Sequence, residues 1–214
     1  HAFSPVNPAA SELSGRKRLR YLTPAATRLG RAVHPSRQTT GREPSGARAD
    51  LAPEVLTDRL RERAREIGLS RIGVTANDPR YTFGESDARQ LPNVIVCLME
   101  QDWELTQTIP SDEAEKSAML GYAEGMTRTA SLAGFLKDLG YEAAPQGFPG
   151  DGITIHYGVE AGLGQLGLNG QLLTPEAGSR CRILLITTDA PLVFDEPVDY
   201  GLHKVCDECR ACVR

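Results

Sequence analysis

This 214-residue sequence predicts a layered α/β fold, and three observations carry that expectation. Two continuous apolar runs, at residues 93–99 and 182–188, have the length and composition of strands covered on both faces. Two longer stretches repeat apolar residues at helical spacing. Strands and helices also alternate along the chain, which is the pattern of sheet-and-helix layers.

The elements follow in order. Pro53 suits a first helical turn, and Val55, Leu56, Leu60, Ala64 and Ile67 then fall at helical spacing until Gly68 ends the helix. Ile72–Thr75 reads as a short strand. A polar loop with Pro79 and Gly84 leads into the apolar run at 93–99. A second helix starts at about Ser111 or Ser117 and runs to Leu139. Met119, Tyr122, Met126, Ala130, Ala133 and Leu136 line one side of it, and Gly140 is its stop. Ile153–Tyr157 is predicted to be a strand, and Arg182–Thr188 is the clearest strand of all. There is no internal repeat.

Hydrophobic residues make up 40% and charged residues 24%. That excludes collagen, coiled coil and a wholly disordered chain. No run approaches the roughly 18 apolar residues of a membrane-spanning helix. The net charge of −4 is unevenly spread: residues 1–50 hold nine basic and three acidic side chains, and the rest hold 15 basic and 25 acidic. An acidic body argues against nucleic acid as the main partner. The basic leader is rich in Pro, Ser, Gly and Ala, has little to bury, and is expected to be mobile. Gly15-Arg16-Lys17-Arg18 superficially matches a twin-arginine start, but no apolar segment follows, so a cytoplasmic location is expected. A start without Met is expected of an incomplete chain.

Cys206, Cys209 and Cys212 form a C-x2-C-x2-C run that matches the first three positions of a bacterial ferredoxin motif. The sequence stops two residues before the fourth cysteine would stand. Zinc, with His203 as a fourth ligand, and a disulfide framework are the competing readings. Cys97 and Cys181 sit in or beside apolar strands and read as small buried side chains.

Gly162-Leu163-Gly164-Gln165-Leu166-Gly167 contains G-x-G-x-x-G. A dinucleotide site needs a helix straight after it, yet Asn169, Gly170 and Pro175 interrupt. Two readings are left: close packing of backbone against a sheet, or backbone laid against a large flat ligand.

The order of several segments resembles a known group. Gly121-Tyr122, Leu139–Ala143, Ala161–Gly167, Leu172–Glu176, Arg180-Cys181-Arg182, Thr188–Leu192 and the cysteine run together resemble the reductive dehalogenases and their relatives, the epoxyqueuosine reductases. The similarity covers about residues 50–214. It implies a nitroreductase-like α/β domain over 51–200 that holds cobalamin base-off, followed by the start, at 201–214, of a ferredoxin-like module with two [4Fe–4S] clusters. Residues 1–50 would be the leader. The fourth cysteine and the second cluster motif would lie beyond Arg214, in a longer reading frame. Gly162, Leu163, Gly164, Gln165, Leu166 and Gly167 would lie against the corrin, and Cys206, Cys209 and Cys212 would hold iron.

By the same resemblance Tyr122 would give the proton, where epoxyqueuosine reductases have aspartate. A phenol does this near neutral pH only beside a cation, which Arg180 or Arg182 would supply. The chain departs from the dehalogenases at Gly147–Asp151, at Ala177-Gly178-Ser179, at Leu185 where several carry lysine, and at His156-Tyr157. These departures bear on substrate rather than cofactor. The expected activity is reduction of a small organic substrate, halogenated in the dehalogenases, with electrons from a ferredoxin, flavodoxin or reductase. The alternatives are epoxyqueuosine reduction and a non-catalytic iron–sulfur or zinc electron-transfer module.

Overall fold

The computed structural model describes residues 15–81, 91–146 and 152–212, with the side chains of 34–41 excepted. The Gly147–Asp151 turn and Gly84 lie outside these. The elements are α1 (Gly15–Gly41), α2 (Pro53–Glu66), β1 (Arg71–Ala76), β2 (Asn93–Glu100), α3 (Trp103–Gln107), α4 (Asp112–Asp138), β3 (Ala143–Pro145), α5 (Thr154–Glu160), β4 (Gln165–Leu166), β5 (Leu172–Leu173), β6 (Cys181–Thr188) and α6 (Leu202–Cys209).

Four strands form one sheet in the order β1-β2-β6-β3, and every pairing is antiparallel. β2 is buried from Asn93 to Met99, as its unbroken apolar run requires. Because strand side chains alternate in direction, the sheet feeds two separate cores. Ile95, Cys97, Leu184 and Ile186 face one way and pack with Leu56, Leu60, Met126 and Leu136 of α2 and α4. Val94, Val96, Leu98 and Leu185 face the other way and pack with Tyr157, Leu163 and Leu172. The layered α/β architecture predicted from sequence is therefore what the chain adopts.

α4 begins where Ser111 caps it, its hydroxyl accepting from the Ala114 N–H at 3.0 Å. It ends before Gly140, whose φ of +85° continues the chain in a conformation closed to most side chains. α2 likewise stops before Gly68 at φ +81°. Its apolar stripe is Leu56, Leu60 and Ala64, while Val55 points outward.

Two expectations are corrected. Residues 15–41 of the leader, expected to have little to bury, form a helix, α1, which lies along α4 in the same direction. Arg18 pairs with Asp112 at 2.7 Å near the start of both helices, and Arg42 pairs with Asp138 near their ends. Ala25 and Ala32 are buried against the body, and Lys116 Nζ stands 4.4 Å from the Tyr21 ring centre. The helix acquires from α4 the apolar contact and opposite charge that its own sequence lacks. The second correction is Ile153–Tyr157, which is not a strand but the start of α5. Tyr157, Gly158 and Ala161 face the sheet at helical spacing, and the Tyr157 hydroxyl donates to Asn77 Oδ1 at 2.9 Å. His156 is exposed and stacks on Tyr81 at 4.9 Å between ring centres.

Candidate functional site

Arg182, Leu184 and Ile186 share the face of β6 on which α4 lies. That parity carries the Arg182 side chain to Tyr122. Its Nη1 donates to the Tyr122 hydroxyl oxygen at 3.2 Å, and its guanidinium carbon stands 4.2 Å from the ring centre. Gly121 lies beside it: a Cβ there would be in ordinary contact with Arg182 Nε, at 3.9 Å. A bond accepted from Arg182 uses a lone pair of the phenol oxygen and not its proton, so the arginine orients the hydroxyl without consuming what it could donate.

Arg180 does something else. It lies just before β6, and its Nη2 pairs with Glu100 at 2.5 Å. Another nitrogen donates to the Gln101 carbonyl, and its guanidinium rests 5.3 Å from the Trp103 ring centre. It fastens the end of the β2–β6 pair to α3. Either arginine was expected beside Tyr122, and Arg182 is the one seen in contact with it.

Two clefts adjoin this region and share Gln101, Leu105 and Ser117. One, of about 490 Å³, is lined by Arg182, Arg18, Asp112 and Ile109 among others. The other, of about 540 Å³, is lined by Arg180, Trp103, Leu120 and Gly121 among others. The Nε atoms of Arg180 and Arg182 are buried without a hydrogen-bond partner among the described residues.

The glycine-rich segment is a different matter. A side chain at Gly162, whose φ is +64°, would run into the Glu196 carbonyl oxygen. One at Gly164 would meet the Leu173 carbonyl oxygen at 2.5 Å, and one at Gly167 would meet Leu173 Cδ1 at 2.8 Å. Leu163 and Gln165 are buried, and Leu166 is half exposed. The chain's own backbone lies against Gly162 and Gly164, and the Asn169 and Leu173 side chains lie against Gly167. An open floor for a corrin is not formed at Gly162, Gly164 or Gly167.

Gln165 makes contacts that the spacing did not foretell. Its Nε2 donates to Asp199 Oδ1 at 3.0 Å, and its Oε1 accepts from the N–H groups of Tyr200 and Leu202, each at 3.1 Å. The Asp199 carboxyl is held below the usual carboxylate range, first by the Gly201 N–H and then by Gln165. Neither Asp199 nor Tyr200 belongs to a motif, and only the structure brings them to the glycine segment.

Cys206 and Cys209 lie three residues apart on one side of α6, and Cys212 follows in a turn made by Arg210 at φ +43°. Cys209 and Cys212 are exposed and Cys206 is half-buried. As a donor set, three soft thiols fit an iron–sulfur cluster. Among the described residues they are not drawn close enough to hold an ion as they stand. Ligands of this kind are often gathered only by the metal. Cys97 and Cys181 cannot join them: they sit in β2 and β6, and burial pushes both thiols up.

No protein-family model matches the chain. It is 38% identical over 120 residues to a tetrachloroethene reductive dehalogenase of Desulfitobacterium hafniense, covering 56% of this chain and 22% of that protein. It is 35% identical over 122 residues to the corresponding protein of Sulfurospirillum multivorans, covering 57% and 24%. Among solved structures, the catabolic reductive dehalogenase NpRdhA superposes with a TM-score of 0.76 at 22% identity, over 88% of this chain and 29% of its own. A second reductive dehalogenase, whose structure is described as suggesting a mechanism for B12-dependent dehalogenation, gives 0.74 at 23% identity, over 87% and 28%. The chain therefore spans about a quarter of the proteins it matches, and no described helix is long and apolar enough to cross a membrane. The chain is thus similar in sequence to reductive dehalogenases over a little more than half its length, and shares their fold over nearly nine-tenths of it.

Proposed function

We propose that the chain is part of an oxidoreductase that reduces a small organohalide, with Tyr122 as proton donor and Arg182 as the group that orients it. The observation that carries this is the Arg182–Tyr122 contact, 3.2 Å from nitrogen to oxygen, in a chain similar to tetrachloroethene reductive dehalogenases. Replacing a carbon–halogen bond by carbon–hydrogen takes two electrons and one proton and releases halide. The proton would leave the Tyr122 hydroxyl for the substrate carbon. Arg182, bound to the phenol oxygen, holds the hydroxyl's direction and stabilises the charge left behind.

Cys206, Cys209 and Cys212 would hold an iron–sulfur cluster, which supplies one-electron transfer when bound. Cobalamin is the further cofactor that the resemblance implies, and a B12-dependent relative shares this fold. Of the residues assigned to it, Gly162, Gly164 and Gly167 are buried with the chain's own atoms packed against them, and Leu163 and Gln165 are buried too, so these five offer a corrin no open face.

The test is chloride release from tetrachloroethene by the full-length, anaerobically reconstituted protein under a low-potential reductant. Tyr122→Phe should lower kcat by at least about 100-fold, the ordinary worth of a positioned acid, with iron content unchanged. Full turnover by that variant would remove Tyr122 from the reaction.

A further inference from the structure

The glycine-rich segment and the approach to the cysteine-bearing helix are laced together residue by residue. Gly162 lacks a side chain where the Glu196 carbonyl arrives, and Val198 Cγ2 lies 3.4 Å from the same point. The Gly162 carbonyl accepts from the Tyr200 hydroxyl at 3.0 Å and from Arg71 at 3.4 Å. Three residues on, Gln165 spends its whole amide on the same linker, through Asp199, the Tyr200 N–H and the Leu202 N–H.

The Leu202 bond is the informative one. A helix starts with N–H groups that have no partner inside it, and α6 has no side-chain cap of its own; its N-cap is Gly201, at φ +71°. Gln165 fills that role from across the chain. Asp199 accepts from the Gly201 N–H at 2.8 Å, so the turn into α6 is fixed from both sides. Gln165 is itself anchored, because β4 pairs with β5 in the register Gln165↔Leu173.

We infer that Gln165 is a positioning residue: acting through Asp199 and Tyr200, it fixes the start of α6, and so the placing of Cys206 and Cys209, against the α/β domain. Its functional half rests on the proposal that these cysteines hold a cluster. The glycine segment is on this account a seat for the linker that carries the electron-transfer end of the molecule. The amide is suited to the task because it offers a donor to Asp199 and an acceptor to two backbone N–H groups at once.

The experiment compares the full chain with Gln165→Leu and Gln165→Glu. Two readouts are used: amide hydrogen exchange, and the electron paramagnetic resonance spectrum after anaerobic reconstitution with iron and sulfide. Gln165→Leu should speed exchange at 202–209 at least tenfold, leave β2 and β6 protected, and broaden or shift the cluster signal. Gln165→Glu should weaken the hold by setting two carboxylates together. Wild-type exchange at 202–209 in a folded Gln165→Leu or Gln165→Glu protein overturns the inference. If Gln165→Leu loses protection in β2 and β6, Tyr200→Phe takes its place. That change deletes one hydroxyl and should speed exchange at 202–209 about threefold; no change overturns the seat. A wild-type chain that takes up no iron defeats the cluster proposal and the functional half with it, while the exchange data still decide the seat.

Discussion

β6 and α6 are each eight residues long and each carries residues of the proposed chemistry, but they are held in opposite ways. Arg182 stands two residues from Leu184 and four from Ile186, both buried, and α4 lies over all three. None of the residues of α6 is buried. Arg182 thus takes its position from packed side chains, which have few alternative arrangements. Cys206 and Cys209 take theirs from a handful of hydrogen bonds at one end of a short helix. The proposed pair, Tyr122 and Arg182, is set by this packing. The thiols stand ready to be gathered, and the metal itself can supply that ordering.

The largest way to break this contrast is to remove bulk from each element. Ile186→Ala should lower stability by about 2–5 kcal/mol, the range for emptying a filled core site, read as a fall in urea midpoint at constant slope. Val205→Ala on α6, where the side chain is 59% exposed, should stay within about 0.5 kcal/mol. Similar costs at both positions would mean that α6 is as firmly packed as the sheet.

Gly162→Ala comes next, because it strikes where the two regions meet. A methyl group there needs a backbone at φ +64° and the space of the Glu196 carbonyl. The expected cost is roughly 1–3 kcal/mol, measured by the same denaturation. A neutral result would show that residues 196–198 yield freely to the substitution.

A smaller but sharper comparison lies within the packed region. Arg182→Lys keeps a charge but loses the planar fork that reaches the Tyr122 oxygen. It should lower kcat about tenfold, which corresponds to about 1.4 kcal/mol. Arg180→Lys should change kcat by less than about twofold, because Arg180 holds Glu100, Gln101 and Trp103 instead. Equal losses would put both arginines in the reaction.

Much of the packed region was legible in the sequence. The run at 93–99 states its double burial outright, and Leu56, Leu60, Met126 and Leu136 announce their faces by spacing. The choice between Arg180 and Arg182 was not legible: strand alternation gives both the parity of Leu184 and Ile186, and only the structure shows that β6 begins after Arg180 and that Arg182 meets Tyr122. What could not be read is whatever depends on a distant partner. α1 has little apolar surface and becomes a helix against α4, whose acidic first turn answers its arginines. α5 opens with Ile153-Thr154-Ile155, which locally favours a strand, but Gly158 must lie against Leu172 and Tyr157 must reach Asn77. In the glycine segment the sequence left two readings open, and the structure shows the chain's own atoms against Gly162, Gly164 and Gly167. Glycine marks close approach, and sequence does not say whether a ligand or the protein's own chain approaches.

Acid offers the gentlest probe of the tethered end. The Gly201 N–H and then Gln165 hold the Asp199 carboxyl below its ordinary value of 3.8. A carboxyl whose value is depressed on folding contributes stability that is fully present above the ordinary value and lost as pH falls through the folded one. Protection at 202–209, corrected for the intrinsic pH dependence of exchange, should therefore decline below about pH 4. Because Asp199 is solvent-accessible, the decline should be slight and should weaken further in high salt. Asp78 is depressed as well, chiefly by Arg80, but it lies beyond β1 and leaves α6 untouched. Asp199→Asn keeps an acceptor for Gly201 and cannot titrate, so its protection at 202–209 should be flat over the same interval. A variant that loses protection in step with the wild type would place the acid-sensitive group elsewhere, and the hold on α6 would then not run through Asp199.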